Sequence, residues 1–342
     1  ALDDEDRDPL WAEAVAGLLT TATTRCFDTA PMRAQLSCRV PVGPGRARSW
    51  LERSSAMAPA FRGRPAHLQS YATGLLDRGD DLEASVYVGL AAYTLALMGR
   101  LDECEPLLEQ LRRLTRRHDT SFSVDSVGNG YAAAIVAETI RGDLSLALDR
   151  SRRPVPIDPA FSMTSAAALA HAALLSSDRE VMERALEWAT QGSFPLLEFL
   201  SPFISCCRAL LDGGFAEAAD HAAEFWDEAP AVPVWQVFAL PLVNAALTRA
   251  GRVDAAGAVT DRAAVLLADM ATAPLLTTAL QLSQGRVALA RGRLDIAEQR
   301  AIAALDVARC HRLPLAVVDA LELRAAVSEQ RGATAASRSL LE

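Results

Sequence analysis

Lysine is absent from this chain. All 34 of its cationic residues are arginine, asparagine occurs only at Asn129 and Asn244, and aromatics make up 6% of its 342 residues. An all-arginine cation set follows from a GC-rich coding sequence and carries no functional weight. Strand-type runs of Val, Ile and Thr are scarce, which argues against a sheet-built core. Positive charge is in deficit, the net charge being −9. A surface for nucleic acid is thereby excluded for this segment, because neutralising phosphates takes clustered cations. No apolar stretch reaches the roughly 20 residues that span a bilayer; Ser165–Leu175 (SAAALAHAALL) is among the longest. The opening ALDDEDRDPLW is acidic and lacks the apolar segment of a signal peptide. The expectation is a cytoplasmic protein with no membrane partner.

Metal and redox motifs are missing too. The six cysteines, at 26, 38, 104, 206, 207 and 310, form no CxxC pair and no zinc spacing. Cys206-Cys207 on an apolar helix read as buried structural thiols in a reducing compartment. No GxxxxGK[ST] phosphate loop occurs, so no nucleotide cofactor is expected. His67, His118, His171, His221 and His311 stand apart from one another, His221 following Asp220. They read as surface or satisfied core residues, and neither a metal nor a catalytic residue is assigned.

What the chain does have is Ala and Leu. Hydrophobic residues reach 51%, dominated by these two helix formers, so the fold class is all-α. A corner is also written repeatedly. Gly292-Arg293-Leu294-Asp295 is nearly repeated at Gly251-Arg252-Val253-Asp254 and Gly99-Arg100-Leu101-Asp102. Looser versions stand at Gly142, Gly213 and Gly332, and a glycine-free one at Ser177. These markers lie 35 to 43 residues apart, the period of stacked helical hairpins.

The corner has a physical logic. Gly ends a helix by entering the left-handed conformation, and an Asp just after it is expected to cap the next helix. The apolar residue two positions on (Leu101, Leu144, Phe215, Val253, Leu294) is expected to tuck into the hairpin. A small residue five positions on (Cys104, Ala147, Ala218, Ala256, Ala297) lets the paired helices approach. Pro195, Pro233, Pro274 and Pro314 mark where new hairpins begin. The first helices should then lie near 82–98, 127–141, 160–176, 194–212, 232–250, 273–291 and 313–331.

The tetratricopeptide repeat has this architecture, and the resemblance is good at Gly292–Leu305, Gly251–Ala264 and Gly213–Phe225. Degenerate repeats of this length resemble the superhelical region of LuxR-type bacterial activators related to the maltose-regulon activator. The closing stretch LPLAVVDALELRAAVSEQRGATAASRSLLE is similar to the end of that region. The resemblance implies a right-handed α-solenoid of about seven hairpins over residues 80–342. It also implies a concave groove that binds a protein partner or a small effector, with a second copy of the chain as a further candidate. Neither the ATPase nor the helix-turn-helix of those regulators is present, so the chain reads as an excised middle or a relative without both ends.

Residues 1–79 differ in texture. Asp8–Phe27 is amphipathic, and CRVPVGPGRARSW (Cys38–Trp50) reads as a Pro/Gly/Arg linker that cannot be regular helix. A leading helical cap is expected here, with a small separate domain as the alternative.

Four surface features weigh on function. The acidic cluster Asp77, Asp80, Asp81 superficially resembles the aspartate-rich magnesium motif of all-α terpene synthases but straddles Gly79, so capping accounts for it better. Arg112, Arg113, Arg116 and Arg117 form a basic stripe read as a solvated face. The run Arg46–Arg53 is a candidate contact for an absent domain. Trp226, Trp235 and Phe238, in EFWDEAPAVPVWQVF, are the candidate ligand- or partner-binding residues, because aromatics favour binding surfaces as well as cores. On α-helical geometry Asn244 points about 180° away from Trp235. The chain is thus read as a sensor and interaction module rather than an enzyme, with a free-standing scaffold and an all-α enzyme as alternatives.

Overall fold

A computed structural model describes residues 46–117, 124–152, 159–191, 198–228, 232–333, 337, 339 and 340. Fifteen α-helices are present among them: α1 (Arg46–Phe61), α2 (Ala66–Asp77), α3 (Asp81–Met98), α4 (Leu101–Arg117), α5 (Val124–Ile140), α6 (Leu144–Arg152), α7 (Pro159–Ser176), α8 (Arg179–Gln191), α9 (Leu200–Leu211), α10 (Phe215–Glu228), α11 (Pro233–Arg249), α12 (Val253–Ala268), α13 (Pro274–Ala290), α14 (Leu294–Cys310) and α15 (Pro314–Gln330). No described residue is in a strand. The fold is all-α.

The helices pair in sequence as hairpins, α3 with α4, α5 with α6, and so on to α13 with α14. First helices also stack on first helices, from α3 through α5, α7, α9, α11 and α13 to α15. Seven such helices fall on the expected spans, the largest departure being α9, which starts at Leu200.

Both ends of these helices are set by their sequence. Pro233, Pro274 and Pro314 occupy the first helical turn of α11, α13 and α15, where a missing N–H costs nothing. The residues before them, Val232, Ala273 and Leu313, have φ between −137° and −105° with ψ near 80°, clear of the helical region that a following proline disfavours. Pro195 lies outside the described residues. At the other end all seven markers have positive φ, from 57° at Ser177 to 81° at Gly142. Gly292 donates its N–H to Leu289 O at 2.9 Å, and Arg293 donates to Ala288 O at 2.8 Å. The same pair of bonds recurs at Gly99, Gly142, Ser177, Gly213, Gly251 and Gly332, and it closes the helix by satisfying its last carbonyls.

Gly292 has no atom within 4 Å of where a Cβ would sit, so a substitution there tests backbone conformation alone. Gly292→Val should destabilise the chain by about 1–3 kcal/mol, the cost of holding a β-branched residue at positive φ. Thermal melts of parent and variant measure it. An unchanged midpoint would contradict the left-handed corner.

Other details of the corner differ from expectation. The residues five past the marker are buried, with Cys104, Ala147, Ala218, Ala256 and Ala297 at 1% exposure or less. The apolar residue two past the marker is fully buried only at Leu101, and Phe215 is an exposed ring beneath the Arg249 guanidinium at 5.3 Å. Side-chain capping is seen where the Val181 N–H donates to Asp178 Oδ1 at 3.0 Å, but not at Asp80, Arg252 or Arg293. Asp254 and Asp295 instead meet an arginine of the next corner, Arg291 at 3.0 Å and Arg331 at 2.6 Å. Arg141 reaches Glu105 at 3.0 Å and Arg252 reaches Asp220 at 2.6 Å in the same way. These pairs are exposed and worth little individually; they mark the register between hairpins.

The leading segment is more regular than its composition suggests. Residues 1–45 lie outside the described residues, but Arg46–Trp50 open α1, so this end of the supposed linker is helix. Arg53 does not wait for an absent domain: its guanidinium meets Glu83 of α3 at 2.8 Å, and Tyr71 Oη donates to the same carboxylate at 3.3 Å. Ala56, Ala60, Leu68, Ala72 and Leu75 share one buried cluster with Ala84, Tyr87, Val88 and Ala91. Gly79, at the boundary drawn after residue 79, is another left-handed corner with φ 80°.

The array also closes on itself. Helix α3 touches α11 and α13, and α5 touches α15. At this seam Ala271 donates its N–H to Gly63 O at 3.2 Å, and both Arg64 Nε and Nη2 donate to Asp269 O, at 3.1 and 2.8 Å. A Cβ on Gly99 would lie 2.5 Å from Leu275 Cβ. First helices are therefore covered on nearly every side, which explains why α3 or α11 carries apolar residues around its whole circumference while α4 has a single apolar stripe.

Candidate functional site

Closure leaves a space inside. A cavity of about 320 Å³ is walled by first helices alone, α5, α7, α9, α11, α13 and α15. Its sides are mostly aliphatic and aromatic, including Ile140, Leu174, Phe203, Phe238, Leu242 and Leu282. Pro241 stands inside α11 and lines the same wall. A proline at that position gives no N–H to the carbonyl four residues earlier, and α11 nevertheless runs on through it to Arg249.

Four charged side chains border the space, Arg249, Arg286, Asp319 and Glu322. Arg286 Nη2 pairs with Asp319 Oδ1 at 3.3 Å, and Arg249 is an exposed residue stacked on Phe215. Two cations and two carboxylates balance. Leu175, 45% exposed, sits with them on the lining.

His171 is a polar group set among the apolar walls. Its ring meets Phe238 edge to face at 5.1 Å. Desolvation pulls its pKa down to about 4, so the imidazole is neutral at pH 7 and each ring nitrogen is a donor or an acceptor according to tautomer. The unfolded chain binds this proton near pH 6.5, whereas the folded chain resists it until about pH 4. Stability attached to His171 is therefore complete above pH 6.5 and lost as pH falls from 6.5 towards 4. His171→Phe should flatten the melting temperature against pH in that window relative to the parent. Parallel slopes in the two proteins would contradict a desolvated, uncharged ring.

The residues expected to bind something are distributed differently. Phe238 lines the cavity, whereas Trp226 and Trp235 are absent from its lining. Trp235 is 4% exposed and packs against Tyr93, Phe203 and Phe238, with centroids 5.6, 5.7 and 5.5 Å apart. Trp226 is 2% exposed on second helix α10, under the Arg262 guanidinium at 5.7 Å. Asn244 points away from the aromatic pair as its spacing predicts, donating to Ala256 O at 3.2 Å and Thr260 Oγ1 at 2.6 Å on α12.

No family model and no curated protein sequence matches this chain.

The remaining candidates resolve individually. Arg112 pairs with Glu105 and Glu109, and Arg116 with Glu109, which neutralises much of the basic stripe. Asp80 pairs with Arg78 at 3.5 Å, and among the described residues no three His, Cys, Asp or Glu side chains gather as metal ligands. His67 and His311 are exposed, His221 stands 3.5 Å from Glu224, and His118 lies outside the described residues. Burial raises the thiols of Cys104 and Cys206 to about 12 and pushes that of Cys207 well up too, as inert structural cysteines require; Cys26 and Cys38 lie outside the described residues. No described helix is long and apolar enough to cross a membrane.

A second, polar cleft of about 830 Å³ lies along the seam, between the Gly99 corner, Arg141, Ala271–Pro274 and Cys310–Arg312. It holds charges of both signs, and its neighbours Arg100 and Arg141 are paired with Glu103 and Glu105. The interior cavity is the better-formed candidate. Sequence reading missed it, although one signal was present: a single histidine in the apolar run SAAALAHAALL.

Proposed function

We propose that this chain is the effector-sensing module of a LuxR-type transcriptional regulator, a tetratricopeptide-like array whose state is read by domains outside the segment. One observation carries the reading: six of the seven first helices border a single cavity. An occupant would touch most of the array at once, so its binding energy bears on how the turn closes rather than on one hairpin. The closed seam also favours a small effector over a protein partner, because the space that the first helices leave between them is only about 320 Å³. Catalysis has less support, since among the described residues the imidazole facing the cavity has no carboxylate partner to orient it.

The coding sequence flanking the segment tests the regulator reading. A phosphate-loop ATPase upstream and a helix-turn-helix downstream are the expected result. An uninterrupted reading frame holding neither would leave the free-standing scaffold as the better account.

A further inference from the structure

We propose that the interior cavity binds an uncharged, predominantly apolar small molecule about the size of a fused bicyclic ring, held by one oxygen on His171. The inference deepens the sensing role by naming the ligand chemistry, and it rests on that reading only for its biological meaning.

Size comes first. At about 320 Å³ the cavity is at the lower end of small-molecule sites, which run to roughly 300–1,000 Å³. Water filling a space lined by Ile140, Leu174, Phe203, Phe238 and Leu282 has few partners, so an apolar occupant gains by displacing it.

Charge decides the class. The four ionic groups on the lining cancel, and Arg286 is already committed to Asp319. An anion attracted to Arg249 would also meet Glu322, and a cation drawn to Glu322 would meet Arg249. Either ion would lose hydration among the aliphatic walls without a dedicated counter-charge. A neutral molecule avoids that cost.

Two polar groups supply direction. His171 faces the space as a neutral ring packed on Phe238, able to donate to a carbonyl or accept from a hydroxyl. The Thr139 hydroxyl, on the same lining, is buried with no hydrogen-bond partner. A buried polar group left unmatched is costly, and an occupant carrying oxygen satisfies what the protein does not. A ligand with one oxygen at one end of an apolar body fits this arrangement.

The test uses three probes that share a ring system and differ in charge: 2-naphthol, 2-naphthoate and 2-naphthylmethylammonium, titrated calorimetrically at pH 7 into the whole chain. Only 2-naphthol should bind measurably. His171→Phe should weaken it by about tenfold, the worth of one hydrogen bond, while folding as stably as the parent at pH 7. Ala245→Leu, which pushes a larger side chain from α11 into the cavity, should abolish binding. His171→Gln, which retains a donor and an acceptor, should recover part of the affinity that His171→Phe loses. Tighter binding of 2-naphthoate that is lost in Arg249→Gln would overturn the neutral class in favour of an anion site. Binding of 2-naphthol unaffected by both His171→Phe and Ala245→Leu would place it elsewhere, and no binding of any probe would overturn the proposal outright. None of these outcomes depends on the flanking domains, so this proposal and the regulator role stand or fall separately.

Discussion

Gly99→Val should be clearly more damaging than Gly292→Val. Gly99 has φ 76°, so a β-branched residue there carries left-handed strain of about 1–3 kcal/mol. Gly292, at φ 70°, would carry the same strain, but only Gly99 is also crowded. A Cβ on it would lie 2.5 Å from Leu275 Cβ, 2.9 Å from Leu275 N and 3.2 Å from Leu275 Cα. Backbone at the start of α13 cannot rotate aside as a side-chain end can, so overpacking adds a further cost of about 1–3 kcal/mol. The expected total is about 2–6 kcal/mol, clearly above that of Gly292→Val. Parallel thermal and denaturant melts of the two variants isolate the difference. Equal destabilisation would mean that the Gly99 corner and α13 do not touch.

Trp235→Ala should cost about 3–5 kcal/mol, the range for deleting a large aromatic from a core. Trp235 is enclosed by Phe203 of the preceding first helix, by Phe238 one turn along its own, and by Tyr93 of α3. The Tyr93 contact makes the side chain more than local packing, because it joins residues 142 positions apart across the closure. Trp235→Phe keeps an aromatic ring and should lose much less. Binding of 2-naphthol by the folded fraction of Trp235→Ala separates the two roles of this residue. Retained binding with a lowered melting temperature assigns Trp235 to the core, whereas lost binding at an unchanged melting temperature would make it a binding residue.

The hairpins were legible because local rules write them. Proline at the start of α11, α13 and α15 and a left-handed residue after each first helix bound elements whose interiors are predominantly apolar, and the period alone points to the glycine-free corner at Ser177. The role of Asp254 and Asp295 was misjudged, because a carboxylate near a helix start has two uses, and only the arginines of the next corner decide between them. Closure was not legible at all. Gly63 meets Ala271, and Gly99 meets Leu275, through a curvature accumulated over several hairpins, for which no short stretch of sequence carries a pattern. The cavity follows from the closure, so His171 looked like one more isolated histidine. Trp235 and Phe238 lie three residues apart on α11, and only their surroundings show that one fills the core and the other also borders the space.

The central claim is that the array completes a closed turn, since the cavity exists only if it does. Pulsed electron-spin distance measurement tests it most directly. Nitroxides would be placed at Ala66→Cys and Thr272→Cys, two exposed positions near the Gly63–Ala271 hydrogen bond of the seam, which leaves the Arg64 contacts intact. The background would carry Ser at Cys26, Cys38 and Cys310, while the buried Cys104, Cys206 and Cys207 stay in place. The account predicts one short, narrow distance distribution. A long or broad distribution, as an open solenoid would give, would contradict it.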